Sequence, residues 1–281
     1  MRHSTTPPEE KQLKTVLPVL SLLLLVSGAE AASVAPHRAI YDLTLLRANE
    51  GASLQSASGK LAFEIDGSSC DGYTVNFRMA TKYHQPDGGV SVIDTLSTTY
   101  ENGAATALRH QFKESVNGKV RDSDSIKVSR ETAEAEGKGE MKSKPSEPFT
   151  VPSGAALPMQ HQLKLMALSE AGGGRDSSIV FDGSDGAKSF RAISFVGKQR
   201  PPGSVARDSG NAAAAALKGV SSFPLTVSYY NLDGNAEMPE YQVSFDMYDN
   251  GVATGLVLDY GDFALSGTLT DLTFLDKPSC P

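Results

Sequence analysis

The sequence predicts a mainly β protein, a single large antiparallel sheet that curves around one helix, and three observations carry that prediction. Apolar and polar residues alternate with a period of two over most of the chain. Turn-forming pairs and clusters separate the alternating runs. One segment, 157–171, changes to helical spacing.

The alternation begins at 37–45, where Ala39, Tyr41, Leu43 and Leu45 fall on one face of a half-buried strand. It recurs at 60–65, 73–83, 90–100, 107–115 and 125–129. Asp66-Gly67, Pro86-Asp87-Gly88-Gly89, Glu101-Asn102-Gly103 and Asn117-Gly118 lie between these runs, so the N-terminal half is an antiparallel meander. From 131 to 142, charges trade places with small residues and no apolar face forms, which fits an edge strand or a solvated ribbon. Pro145, Pro148 and Pro152 are then expected to break the sheet.

The helix at 157–171 carries Leu157, Met159, Leu163, Leu165, Met166 and Leu168 on more than one stripe, so it should meet protein on several sides. Gly172-Gly173-Gly174 ends it. Strands resume at 178–181 and 189–196. The Ala/Pro/Gly-rich segment 199–222 is a low-complexity loop with a short helical piece, to which the sequence assigns no role. Four further strands follow at 225–230, 241–248, 254–260 and 264–275, with Asn250-Gly251 as a hairpin turn. No fixed-period repeat or flexible linker appears; the meanders on either side of the helix could be two domains, but a bond between Cys70 and Cys280 would connect the halves, so 32–281 is expected to form one domain.

Export is expected from the N-terminus. Lys11 and Lys14 precede an apolar run at 16–26, and Ala29-Glu30-Ala31 offers a small-residue cleavage site, so residues 1–31 have the form of a cleaved signal peptide. The apolar run is shorter than the about 20 residues that a spanning helix needs, so no integral membrane segment is expected after cleavage. Leu25-Val26-Ser27-Gly28 leads to Ala29, where a lipoprotein would place the cysteine it acylates. An oxidising compartment gives Cys70 and Cys280 a reason to bond to each other, with two buried free thiols as the alternative. Such a bond would close a loop of about 210 residues, worth about 5 kcal/mol in the chain-entropy treatment.

The net charge is −7, and the signal segment holds equal numbers of basic and acidic residues, so cleavage leaves it unchanged. An acidic surface without a basic cluster argues against nucleic acid and against docking on anionic phospholipid. Tryptophan is absent and aromatics make up 7%, so any sugar-stacking platform would need Tyr and Phe.

Catalytic and metal motifs are missing. His37, His84, His110 and His161 are far apart, none in a metal-binding spacing, and no G-x-S-x-G elbow occurs. Gly183-Ser184-Asp185-Gly186-Ala187-Lys188-Ser189 resembles a phosphate loop but has Ala187 where glycine must precede the lysine, so a hairpin turn is the better reading. Asn231-Leu232-Asp233-Gly234-Asn235 alternates oxygen ligands as a calcium loop does, yet its glycine is fourth and Gln242 takes the twelfth place, which again favours a turn. Leu157, Met159, Leu163 and Met166 are candidates to line an apolar cavity, because methionine adapts to variable ligands; core packing is the competing reading.

The opening Val34-Ala35-Pro36-His37-Arg38-Ala39-Ile40-Tyr41-Asp42-Leu43, the segment Ser69-Cys70-Asp71-Gly72-Tyr73 and the closing Pro278-Ser279-Cys280, behind a signal peptide, resemble the EipB family of α-proteobacterial cell-envelope integrity proteins. The resemblance covers essentially all of the mature chain. It implies a spiral-like, broken β-barrel of about fourteen strands partly enclosing a helix, with the disulfide falling on Cys70 and Cys280. It also implies a role in envelope integrity under stress, in a periplasmic setting that includes a tetratricopeptide-repeat protein, and brings no catalytic motif or cofactor.

The function expected is therefore non-enzymatic: a periplasmic monomer whose curved sheet binds another envelope protein. A lipid or lipoprotein carrier with an apolar cavity is the alternative. A hydrolase built from dispersed residues is a third reading.

Overall fold

The computed structural model describes residues 34–142, 146–204, 206–207, 210–232 and 237–278 of the 281-residue chain. The expected signal peptide at 1–31 and Cys280 lie outside the described residues. Eight strands come first: β1 (His37–Ala48), β2 (Ser56–Ser68), β3 (Gly72–His84), β4 (Val90–Glu101), β5 (Ala107–Val116), β6 (Lys119–Ser129), β7 (Gly137–Met141) and β8 (Glu147–Val151). Helix α1 (Pro158–Glu170) follows, then β9 (Gly174–Val180), β10 (Phe190–Val196), β11 (Ser222–Asn231), β12 (Tyr241–Tyr248), β13 (Ala253–Asp259) and β14 (Phe263–Phe274). A 3-10 turn at Ala212–Leu217 is the short helical piece expected within 199–222.

All fourteen strands join one antiparallel sheet in the order β8-β7-β6-β5-β4-β3-β2-β1-β14-β13-β12-β11-β10-β9. The first and last strands pair in its middle, so the two meanders are halves of one object. The free edges, β8 and β9, are consecutive in sequence and flank α1. A single parallel bridge joins Ala156, just beyond β8, to Val180 at the end of β9, with hydrogen bonds of 2.8 and 3.0 Å. The sheet is a barrel left open at this seam.

Local chemistry accounts for the register. Asn117 and Gly118 both have positive φ (50° and 77°), the two-residue turn whose twist suits adjoining strands, so β5 and β6 form a tight hairpin. Opposite charges face one another on the solvent side, with Arg38 against Glu64, Lys60 against Asp42 and Arg78 near Asp94. Such exposed pairs add about 0–1 kcal/mol each and serve mainly to keep this face wet. Facing inward, Leu61 opposes Met79 and Phe63 opposes Phe77.

The proline-rich segment departs from expectation. Pro148 lies inside β8, opposite Glu140 of β7, rather than breaking the sheet. An edge strand tolerates proline because one row of its backbone groups has no ladder partner to lose. The apolar face missing from 131–142 has a related explanation. Gly139 of β7 lies opposite Phe149 of β8, whose ring occupies the space a Cβ would need.

Helix α1 packs on β9 and β10. Met159, Leu165 and Met166 join Val180, Phe190, Phe223 and Leu225 in one buried cluster, and Leu157 joins Leu108, Ile126 and Phe181 in another. The helix has no polar N-cap of its own, since Leu157 holds that position and Pro158 the first turn. Glu101 of β4 supplies the cap from across the interior, accepting hydrogen bonds from the Met159 N–H (2.7 Å) and the Gln160 N–H (3.0 Å). A carboxylate at a helix N-terminus satisfies orphan donors and complements the helix dipole. Arg130 completes the joint, donating to the carbonyls of Ala105 (2.8 Å) and Ala155 (2.6 Å) and to Gln160 Oε1 (3.0 Å).

Candidate functional site

The helix fills only part of the enclosed space. Where β2 and β3 share the interior with β12 and β13, the inward side chains line a hollow of about 420 Å³, with Leu61, Phe63, Phe77, Val243, Phe245 and Leu258 among its walls. A second hollow of about 510 Å³ shares Leu61, Phe77, Val243 and Leu258 with the first. A third, of about 590 Å³, meets the second at Tyr260 and reaches the 49–54 loop. Together they form a trough along the concave face, each hollow being in the size range of small-molecule sites.

Carboxylates, amides and hydroxyls line much of the second and third hollows, while polar groups are fewer in the first. His37 is buried at its Ala35 end, with Nδ1 2.8 Å from the Ala35 carbonyl and its ring tilted against Phe63 at 5.8 Å. Burial lowers its pKa, which keeps the ring neutral. Tyr41 donates to the Ala253 carbonyl at 2.8 Å. Burial raises the Tyr41, Tyr229 and Tyr241 hydroxyls well above the usual tyrosine range and pushes Tyr260 to about 12. All four remain neutral at ordinary pH.

Asp182, just after β9, lines the first hollow and accepts hydrogen bonds from the Ser184 backbone (2.8 Å) and hydroxyl (2.7 Å). Tyr229 and Tyr241 stack at 4.4 Å, and Phe190 meets each edge-on at 6.4 and 6.1 Å. His110 is held by Thr99 at 2.8 Å, and His161 lies 3.6 Å from Asp176, which Lys164 and Ser178 also bind. Among the described residues, no three His, Cys, Asp or Glu side chains gather to hold a metal ion.

Of the four helix residues singled out from the sequence, Leu157, Met159 and Met166 are buried in the core clusters and Leu163 packs against one of them. In the first hollow the helix is represented by Gln162. Leu61, Phe63 and Phe77 fall within the alternating runs 60–65 and 73–83, but nothing in the pattern separates an inward residue that meets protein from one that meets space. Cys70 sits in the turn between β2 and β3, its N–H 3.3 Å from Ser68 Oγ.

The family described as EipB-like matches residues 28–276. The cell envelope integrity protein EipB of Brucella abortus (strain 2308) is 34% identical over 254 residues, 89% of this chain and 88% of that protein. The chain belongs to the EipB-like family. A crystal structure from Brucella abortus, titled as a β-barrel-like protein of a domain of unknown function, superimposes with a TM-score of 0.79 at 28% identity, covering 88% of this chain and all of that one. The broken barrel around one helix is thus the architecture of an EipB-like chain. Among the described residues, no helix is long and apolar enough to cross a membrane.

Proposed function

We propose that this protein supports cell-envelope integrity from the periplasm as a non-enzymatic binding protein, and that its occupant is the apolar chain of a lipid or lipoprotein. The observation that carries the proposal is the trough: a fold able to pack α1 against β9 and β10 leaves aromatic and aliphatic walls unfilled between β2–β3 and β12–β13. The name of the Brucella relative supports the envelope role. Native mass spectrometry of purified protein should reveal co-purifying acyl species, and a deletion strain should lose detergent tolerance. Ligand-free protein together with wild-type tolerance would overturn the proposal.

Docking of an envelope protein on the convex face, including a tetratricopeptide-repeat partner, is the second reading. It is favoured by Val90, Val92, Leu96 and Val120, which are exposed on β4 and β6.

A Cys70–Cys280 disulfide belongs to the same proposal. Phe274 pairs with His37 and His37 with Ile65, so β14 ends at the same end of the sheet as the turn carrying Cys70. Cys70→Ser should lower the Tm under oxidising conditions and remove most of the effect of reductant. An unchanged Tm would show that the bond is absent or without consequence.

A further inference from the structure

The walls of the trough carry one sign of charge. Among the described residues, no lysine or arginine lines any of its three hollows. The second hollow instead places Glu114, Asp185, Glu240 and Asp259 around Phe77, Phe112, Phe190, Tyr241 and Tyr260. Two of the carboxylates are already engaged with bases, Asp259 by Arg47 at 2.6 Å and Asp185 by Lys188 at 2.7 Å. Glu114 and Glu240 have no such partner among the described residues, and Glu240 accepts only from the Asn231 amide.

Aromatic faces present negative potential, and an ammonium group held over them gains most where it is partly desolvated. Carboxylates in the same hollow add to that preference, by a modest amount because Glu240 and Asp185 are exposed to solvent at its rim. An anionic headgroup would meet the same groups as repulsion, and the nearest bases, Arg47 and Lys188, are already held by Asp259 and Asp185.

The first hollow fixes what the ammonium is attached to. It is continuous with the second through Leu61, Phe77, Val243 and Leu258, and these walls offer little to satisfy the N–H and C=O groups of a peptide. A hydrocarbon makes no such demand. We infer that the trough binds an ammonium-bearing amphiphile, with the tail between β2–β3 and β12–β13 and the cationic head among Phe190, Tyr241, Glu114 and Glu240. This inference rests on the apolar-chain reading proposed above and adds the charge of the headgroup.

The test is titration calorimetry of the purified protein, below micellar concentrations, with dodecyltrimethylammonium, dodecyl maltoside and dodecanoate, which share one tail and differ in head. Dodecyltrimethylammonium should bind on the order of tenfold more tightly than dodecanoate. The double variant Glu114→Gln/Glu240→Gln should erase most of that preference while leaving dodecyl maltoside affinity and Tm unchanged. Equal or tighter binding of dodecanoate would overturn the cationic assignment and leave the apolar-chain reading standing. Failure of all three probes to bind would overturn both. Tighter binding of a lysine-rich peptide than of the ammonium amphiphile would overturn the commitment to a hydrocarbon tail.

Discussion

Val227 and Val243 lie directly opposite each other on β11 and β12, on the same face of the sheet, yet one is enclosed and the other is not. Val227 is 3% exposed within the cluster that includes Met159, Leu165 and Met166, whereas Val243 packs only partly buried against the edge of that cluster and also lines the trough. Residue type and strand pairing are alike, so neither explains the contrast. The difference is made by a third element: α1 lies against β9 and β10 and covers one side of the interior, and it stops short of the other. In this fold, core and cavity are two outcomes of the same strand pattern, separated by where one helix is laid.

The strongest way to break that comparison is to damage the filled side. Met166→Ala should cost about 2–5 kcal/mol, because a buried side chain is removed from a close-packed cluster. Denaturant titration would measure it, and a loss below about 1 kcal/mol would mean that the helix side is not close-packed.

A second effect concerns the anchor of α1. Burial raises the Glu101 carboxyl to about 7 from an ordinary 4.5, against the hydrogen bonds from Met159 and Gln160 and the charge of Arg130. The native state therefore holds this proton more tightly than the unfolded chain does. The contribution is fully present below pH 4.5 and is lost as pH rises through 7, on the order of 1–3 kcal/mol in total. The buried rings of His37, His110 and His161, all lowered by desolvation, act in the opposite sense. The difference between wild type and Glu101→Gln across pH 4.5–8 isolates the carboxyl, and parallel profiles would refute its assignment.

The finest test applies one substitution to both valines. Val227→Phe overfills a packed site and should cost about 1–3 kcal/mol. Val243→Phe fills part of the trough and should raise stability by about 0.5–1 kcal/mol while weakening binding of a dodecyl probe. Equal destabilisation by the two would show that the hollow collapses onto its walls.

Much of the sheet was legible because a half-buried strand writes its burial into every second residue, as Ala39, Tyr41 and Leu43 do in β1. β8 was not, since Pro148 reads as a breaker until its place on an edge is known. The first half of β6 was hidden for a different reason: its outermost residues are exposed and carry no apolar alternation. The Glu101 cap leaves no local trace, because it reaches α1 from 58 residues away. The trough is the least legible feature of all, for its walls are ordinary inward positions and its emptiness depends on what α1 fails to cover.

The pairing of β1 with β14 also bears on how the chain comes together. Every other pair in the sheet joins neighbours in sequence, yet β1 must wait for the last strand to be synthesised before its second edge is occupied. During that interval a long strand edge stands open to stray partners, and such distant pairing makes for slow folding. A circular permutant that runs from the end of β14 into the start of β1 through a short linker, and opens the chain beside α1, would turn that distant contact into a hairpin. It should therefore reach the native sheet sooner and aggregate less on the way.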